Sequence, residues 1–299
     1  MLLSRTLPGA GPTTAAPLAK LPEIILPDEP TPASTRFEDY TWLIYGAKKI
    51  GKTSLVSQFN RPLFLTFEPG NKGLDLMQLP VPDWRTFLAI KAQLKKNPGK
   101  YNTIVFDTSD IAYDRAFQHY CAELGIDHPT DLGYGKGWDA IKKGFRGEIL
   151  DLAQMGFGMV FISHATEAEF TKIGGVKHTK IIPSLQNSPR EFFSGFVDII
   201  GCYIYYGNER YLTISGNEAM EGGQRAKKQF WVKGHEWNSA EPIRVHSVPM
   251  GGTEEEAYAN ILHAWNNKQE TDGRPVDSRG NEEDYGIGEK KVGFVGGKK

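Results

Sequence analysis

From Tyr40 onward, short and almost unbroken apolar runs alternate with amphipathic stretches. Trp42-Leu43-Ile44-Tyr45, Leu63-Phe64-Leu65-Thr66-Phe67, Thr103-Ile104-Val105-Phe106 and Gly158-Met159-Val160-Phe161-Ile162-Ser163 each predict a strand. Runs that are apolar throughout suit a parallel sheet covered by helices on both faces. The clearest helix is predicted from Trp138 to Met155, where Trp138, Ile141, Phe145, Ile149 and Leu152 recur three or four apart and belong in the core. After Pro189 the texture changes. Phe196 to Tyr206 and Tyr211 to Ile214 are rich in β-branched and aromatic residues, and Gly207-Asn208 between them signals a hairpin. A last helix, Glu254 to about Asn267, is announced by Thr253 with Glu256 three positions on. Together these elements predict an α/β fold: a mostly parallel sheet with helices on both faces and antiparallel strands at one edge.

Residues 1–37 are rich in Pro, Ala and Thr and are expected to form a flexible arm. Residues 268–299 are expected to form a flexible Gly-rich, charged tail around an ordered domain of residues 38–267. A net charge of −1 gives no global attraction to nucleic acid, so any such contact has to come from a local patch or from several subunits. The two cysteines, Cys121 and Cys202, form no C-x-x-C pair, which argues against a disulfide framework and a structural zinc site. A reducing cytoplasm is the expected compartment. Neither a membrane span nor a signal peptide is expected, because no apolar run reaches the required length.

Chemistry enters at Gly46-Ala47-Lys48-Lys49-Ile50-Gly51-Lys52-Thr53, which spells G-x-x-x-x-G-K-T between the first strand and the amphipathic run that starts at Ser54. In that context the pattern is a phosphate-binding loop. Its backbone N–H groups turn inward, Lys52 supplies a point charge, and the Thr53 hydroxyl can ligate Mg²⁺. Asp107, closing the third strand, is the candidate second metal-linked group, on the expectation that its strand lies beside the loop strand. Glu68, after the second strand, is the candidate for activating water, and His164, just past the fourth strand, for sensing the terminal phosphate. Asn71-Lys72-Gly73-Leu74-Asp75 superficially resembles a guanine-recognition motif, but its Asp is one position too far along and it lies too early in the chain. ATP is therefore the expected ligand. The stretch from Gln224 to Lys233 interleaves Arg225, Lys227, Lys228 and Lys233 with Phe230 and Trp231. It suits an arginine-finger role across a subunit interface, contact with single-stranded DNA, or a solvated edge strand protected by lysines.

On these motifs the chain resembles phage-type AAA-domain ATPases with a RecA-like core, a group that includes phage recombinases and single-strand annealing proteins. The resemblance spans roughly residues 38 to 250. It rests on the phosphate loop, Arg61 to Gly70, Thr103 to Thr108, Tyr134 to Trp138 and Val160 to His164. It implies Mg-dependent ATP hydrolysis with Glu68 activating water, Asp107 at the metal and His164 as sensor. It also implies single-stranded DNA as partner, a ring or filament of identical subunits, and Arg225, Lys227 and Lys228 as the late-strand fingers. The span from Lys52 to Glu68 is shorter than in bacterial recombinases, and no helix-hairpin-helix appendage is evident. Two alternatives stay open: a nucleotide-gated assembly protein with negligible turnover, and a P-loop small-molecule kinase. Against the kinase, the stretch from Ile126 to Lys136 contains no arginine for a lid.

Overall fold

The computed structural model describes residues 25–172, 174–240 and 242–270. The chain divides into two units, Met1–Ser34 and Thr35–Lys299. Of the first, residues 25–34 are described and carry no helix or strand.

In the second unit β1 (Thr41–Gly46) leads through the glycine loop into α1 (Lys52–Ser57), followed by β2 (Pro62–Thr66), β3 (Gln78–Pro80) and α2 (Trp84–Lys96). Next come β4 (Thr103–Asp107), α3 (Ser109–Leu124), α4 (Lys136–Ala153), β5 (Gly158–Thr171), β6 (Lys177–Pro183) and α5 (Asn187–Phe196). β7 (Ile199–Tyr206), β8 (Glu209–Thr213), β9 (Gly223–Gln224), β10 (Ser247–Pro249) and α6 (Glu254–Trp265) complete it. No helix among the described residues is long and apolar enough to cross a membrane.

The main sheet runs β10-β8-β7-β1-β5-β4-β2-β3. Strands β7 through β3 in that order are parallel, while β8 and β10 add an antiparallel edge through the Gly207-Asn208 turn. This is the α/β architecture expected of the sequence, with one correction to strand order. β4 does not lie beside β1; β5 is inserted between them and pairs in parallel with both. Ile162 of β5 is level with Ile44 on one side and Asp107 on the other, so Asp107 must reach the loop across an intervening strand. Crossovers set spatial order, and spatial order need not follow chain order.

Because successive strand residues point to opposite faces, each strand feeds two cores. Leu43, Tyr45, Ile104, Phe106, Met159 and Phe161 pack against residues of α2 to α5, including Phe87, Tyr113, Phe145 and Phe193. Trp42, Ile44, Val105, Val160 and Ile162 pack on the other side with Leu55 and Val56 of α1 and Ile261 and Trp265 of α6. Of the five residues assigned to the core of α4, four are buried. Trp138 is only half-buried, lying against Phe117 and His128.

The margins of the domain are tied down by single aromatic and polar contacts. Phe37 is buried, with ring centroids 4.9 Å from Trp42, 5.0 Å from Phe59 and 5.4 Å from Trp265. Trp265 Nε1 also donates to Thr35 O at 2.9 Å. At the other margin, Lys233 N donates to Gln269 O. Residues 1–24 of the expected arm and 271–299 of the expected tail lie outside the described residues.

Phe161 is fully buried, its ring 4.5 Å from Phe193 and 4.9 Å from Phe106. Phe161→Ala should therefore cost about 3–5 kcal/mol of stability in urea unfolding, and the half-buried Trp138→Ala clearly less. An equal cost for both would contradict this description of the core.

Candidate functional site

β1 delivers the chain to the loop at Gly46, which pairs with Tyr203 of β7 and His164 of β5. A Cβ at position 46 would lie 2.1 Å from Tyr203 O, so only glycine fits there. Lys49 (φ 62°) and Gly51 (φ 106°) take the left-handed conformation that curls the loop around its own N–H groups before α1 begins at Lys52. Lys52 is buried, and its ammonium donates to Gly46 O at 2.9 Å and Ala47 O at 2.8 Å. Burial pushes its pKa down to about 8, while Asp107, Asp110 and Glu68 oppose that shift.

Opposite the loop stand the strand-end carboxylates. Asp107 Oδ2 accepts from Thr53 Oγ1 at 3.1 Å and from Asn71 Nδ2 at 3.0 Å. Glu68 Oε1 lies 3.5 Å from His164 Nε2. Burial, and then the nearby Lys52 charge, lowers the His164 pKa, so the imidazole is neutral at neutral pH and this contact is polar but not ionic. Lys49, Lys52, Thr53, Glu68, Asn71, Asp107 and His164 line one cleft of about 250 Å³. His164 does not follow the end of its strand. β5 continues to Thr171, and His164 is the last residue paired with β1 before Ala165 begins the antiparallel ladder with β6.

Two contributors were not singled out from the sequence. Asn71, set aside with the guanine-like stretch, orients the Asp107 carboxylate. Asp110, in the first turn of α3, accepts from Ser163 Oγ (2.8 Å), His164 N (3.1 Å) and Ser184 Oγ (3.1 Å), fixing both strands where the β5–β6 hairpin leaves the sheet. Their partners are distant in sequence. The only local signal was a polar residue within a turn of a strand's carboxyl end.

Arg225, Lys227 and Lys228 are not brought to this cleft. Arg225 N bonds Asp198 O just before β7, where Ile199 is level with Trp42, whereas the loop is level with Tyr203. The three therefore lie at the amino ends of the strands, exposed, with Lys227 and Lys228 over the Trp237 ring at 4.6 and 5.8 Å. Nor is Gln224–Lys233 an edge strand: beyond β9 it holds only an isolated bridge from Trp231 to Arg244.

The strand order, the glycine loop on β1 and the carboxylate at the end of β4 accompany a direct match. The sequence pattern of the AAA domain family matches residues 38–226, more than half of the chain. The chain belongs to the AAA domain family. It is also 30% identical over 152 residues to the SPbeta prophage-derived uncharacterized protein YorG of Bacillus subtilis (strain 168). That match covers 48% of this chain and 47% of the relative, so the chain spans about half the length of the protein it resembles. The cleft therefore carries the glycine loop of an AAA domain, with Lys52 and Thr53 among its lining residues.

The Lys52 pKa has a consequence for stability. A lysine at about 8 when folded and at its ordinary 10.5 when unfolded holds fewer protons in the native state between those values. Stability therefore rises with pH across that window. Between about pH 7.5 and 9.5, wild type should gain about 2 kcal/mol relative to Lys52→Met, measured by urea unfolding of both at each pH. A flat difference would contradict the buried placement of the ammonium.

Proposed function

We propose that this AAA domain binds ATP with Mg²⁺, hydrolyses it to ADP and phosphate, and works as a homo-oligomer on single-stranded DNA in phage recombination or replication. The observation that carries hydrolysis is the convergence of the Glu68 and Asp107 carboxylates and the Thr53 hydroxyl on one cleft beside Lys52. The donor set fits magnesium, since hydroxyl and carboxylate oxygens are hard ligands. Among the described residues no group of three His, Cys, Asp or Glu could hold a metal by itself. That suits an ion whose coordination is completed by phosphate oxygens and water.

Thr53 and Asp107 would hold the ion, and Asn71 keeps the Asp107 carboxylate turned toward Thr53. Bound there, Mg²⁺ supplies neutralisation of charge on the phosphate oxygens. The amides from Gly46 to Ser54 and the Lys52 ammonium hold the phosphates, with Lys52 exchanging its loop-carbonyl partners for phosphate oxygens. Glu68 accepts the proton of the attacking water, and neutral His164 steadies that carboxylate from β5.

The oligomer and the DNA rest on different support. The homo-oligomer is supported by the resemblance, in which a late-strand cation of one copy reaches the triphosphate held by the next. Arg225, exposed at the far end of the sheet with its guanidinium on Gly195 O, would exchange that partner for phosphate in this role. DNA is supported by the prophage origin of the relative, by the resemblance to phage recombinases, and by Lys227 and Lys228 grouped on Trp237.

Glu68→Gln should keep ATP binding and lose on the order of 10²- to 10⁴-fold in turnover, and Lys52→Ala should have no measurable turnover, both read in a phosphate-release assay. Undiminished turnover in Lys52→Ala refutes the site. ATP-driven assembly with turnover unaffected in Glu68→Gln favours a nucleotide-gated assembly protein. Added single-stranded DNA should raise the wild-type rate; no change, together with no mobility shift, removes DNA from the function.

A further inference from the structure

The carboxylates fix the direction in which a nucleotide can lie. Glu68, Asn71, Asp107 and His164 all stand on the β5-β4-β2 flank of the loop, so the terminal phosphate belongs there. With the terminal phosphate on that flank, the rest of the nucleotide has the opposite flank open to it, toward β7, β8 and α6.

That flank holds a second cleft. Its volume is about 590 Å³, within the roughly 300–1,000 Å³ typical of small-molecule sites. It lies between the β7–β8 turn (Tyr205, Asn208, Glu209, Arg210) and the segment of Pro249, Gly251 and Gly252, with Asn260 of α6. Tyr205 and Arg210 are directly opposed across the hairpin and so share a face. Two residues earlier on that face is Tyr203, packed in the α1 and α6 layer. Arg210 joins the cleft to the loop. A side-chain carbon at Gly51 would meet Arg210 Nη1 at 3.1 Å, Glu254 Oε1 at 3.7 Å and Tyr203 Oη at 3.9 Å. Tyr203 Oη is buried with no hydrogen-bond partner, and the Arg210 guanidinium reaches only Gly251 O (3.1 Å) and, loosely, Glu254 (3.7 Å).

We propose that this cleft binds the nucleoside half of the triphosphate, ribose and base, with Arg210 at the junction to the phosphates. The assignment rests on the proposed ATP binding and adds where the nucleoside sits. The chemistry suits an uncharged, flat and polar-edged group. Tyr205, half exposed at the hairpin, presents an aromatic face for stacking, and Asn208 presents amide atoms to a base edge. Glu209 can accept from ribose hydroxyls, as carboxylates do in other nucleotide sites, and would repel a phosphate placed there.

The test is calorimetric titration of ATP and of inorganic tripolyphosphate into wild type, Tyr205→Ala and Lys52→Ala. Tyr205→Ala should weaken ATP on the order of tenfold and leave tripolyphosphate unchanged. Unchanged ATP affinity overturns the cleft assignment, and so does an equal loss for both ligands. Lys52→Ala should weaken both; if it binds both as wild type does, phosphate binding by the loop falls instead. As a readout independent of variant folding, 8-azido-ATP should photolabel peptides containing Tyr205–Arg210 or Pro249–Gly252. Label confined to the stretch from Gly70 to Leu74 overturns the assignment.

Discussion

The site is organised around one expensive placement, a lysine ammonium buried under the sheet's carboxyl edge. An ammonium taken out of water costs several kcal/mol unless polar partners surround it. Lys52 obtains its partners from two sources: the Gly46 and Ala47 carbonyls, which it contacts directly, and Asp107, Asp110 and Glu68, whose charges act across the cleft. Each source depends on the fold. The carbonyls turn toward Lys52 because Gly46 packs directly on Tyr203 O and Gly51 takes a left-handed conformation. The carboxylates converge because β2 and β4 run parallel and end level with one another, beside Ile162 of β5.

The insertion of β5 between β1 and β4 gives the site depth. With β4 directly beside β1, Asp107 would stand against the loop, leaving less room for a phosphate and a water between them. With β5 between them, Asp107 still meets Thr53 at 3.1 Å, but Glu68 and His164 stand further out along the same edge. The loop thus has one flank rich in carboxylates and an opposite flank where the Arg210 guanidinium comes closest to Gly51. A ligand whose charge is concentrated at one end matches such an asymmetric cleft in one orientation only.

The strands, the faces they bury and the loop were legible in the sequence because each is written locally: apolar runs give strands, their ends give carboxylates, and glycines give the loop. Lys52, Thr53, Glu68, Asp107 and His164 all fall beside such local markers, and the structure brings them to one cleft. What was not legible depends on pairing across distance. The place of β5 beside β1 is a matter of crossover, and the hydrogen bonds of Asn71 and Asp110 span 36 to 74 positions. Composition misled in two places. The basic and aromatic stretch Gln224–Lys233, which suited a finger, a DNA contact or an edge strand, forms no strand beyond β9, and a single Phe in a polar context, Phe37, proved to be a core residue. The cleft at Tyr205 is assembled from three segments, none of which carries a motif.

β5 has two jobs that a shorter strand would separate. Up to Ser163 it is a central strand, paired with β1 and β4 and buried on both faces; from Ala165 it is one arm of an exposed hairpin with β6. A hairpin alone is only marginally stable in water, so its register depends on what holds its base. Asp110 holds that base on both sides, through Ser163 and His164 on the outgoing strand and Ser184 on the return. Asp110 is also one of the charges that oppose deprotonation of Lys52. One carboxylate therefore serves both the buried cation and the hairpin's anchor, and a residue such as His164 cannot shift at the cleft without disturbing the same hydrogen bonds that seat the hairpin.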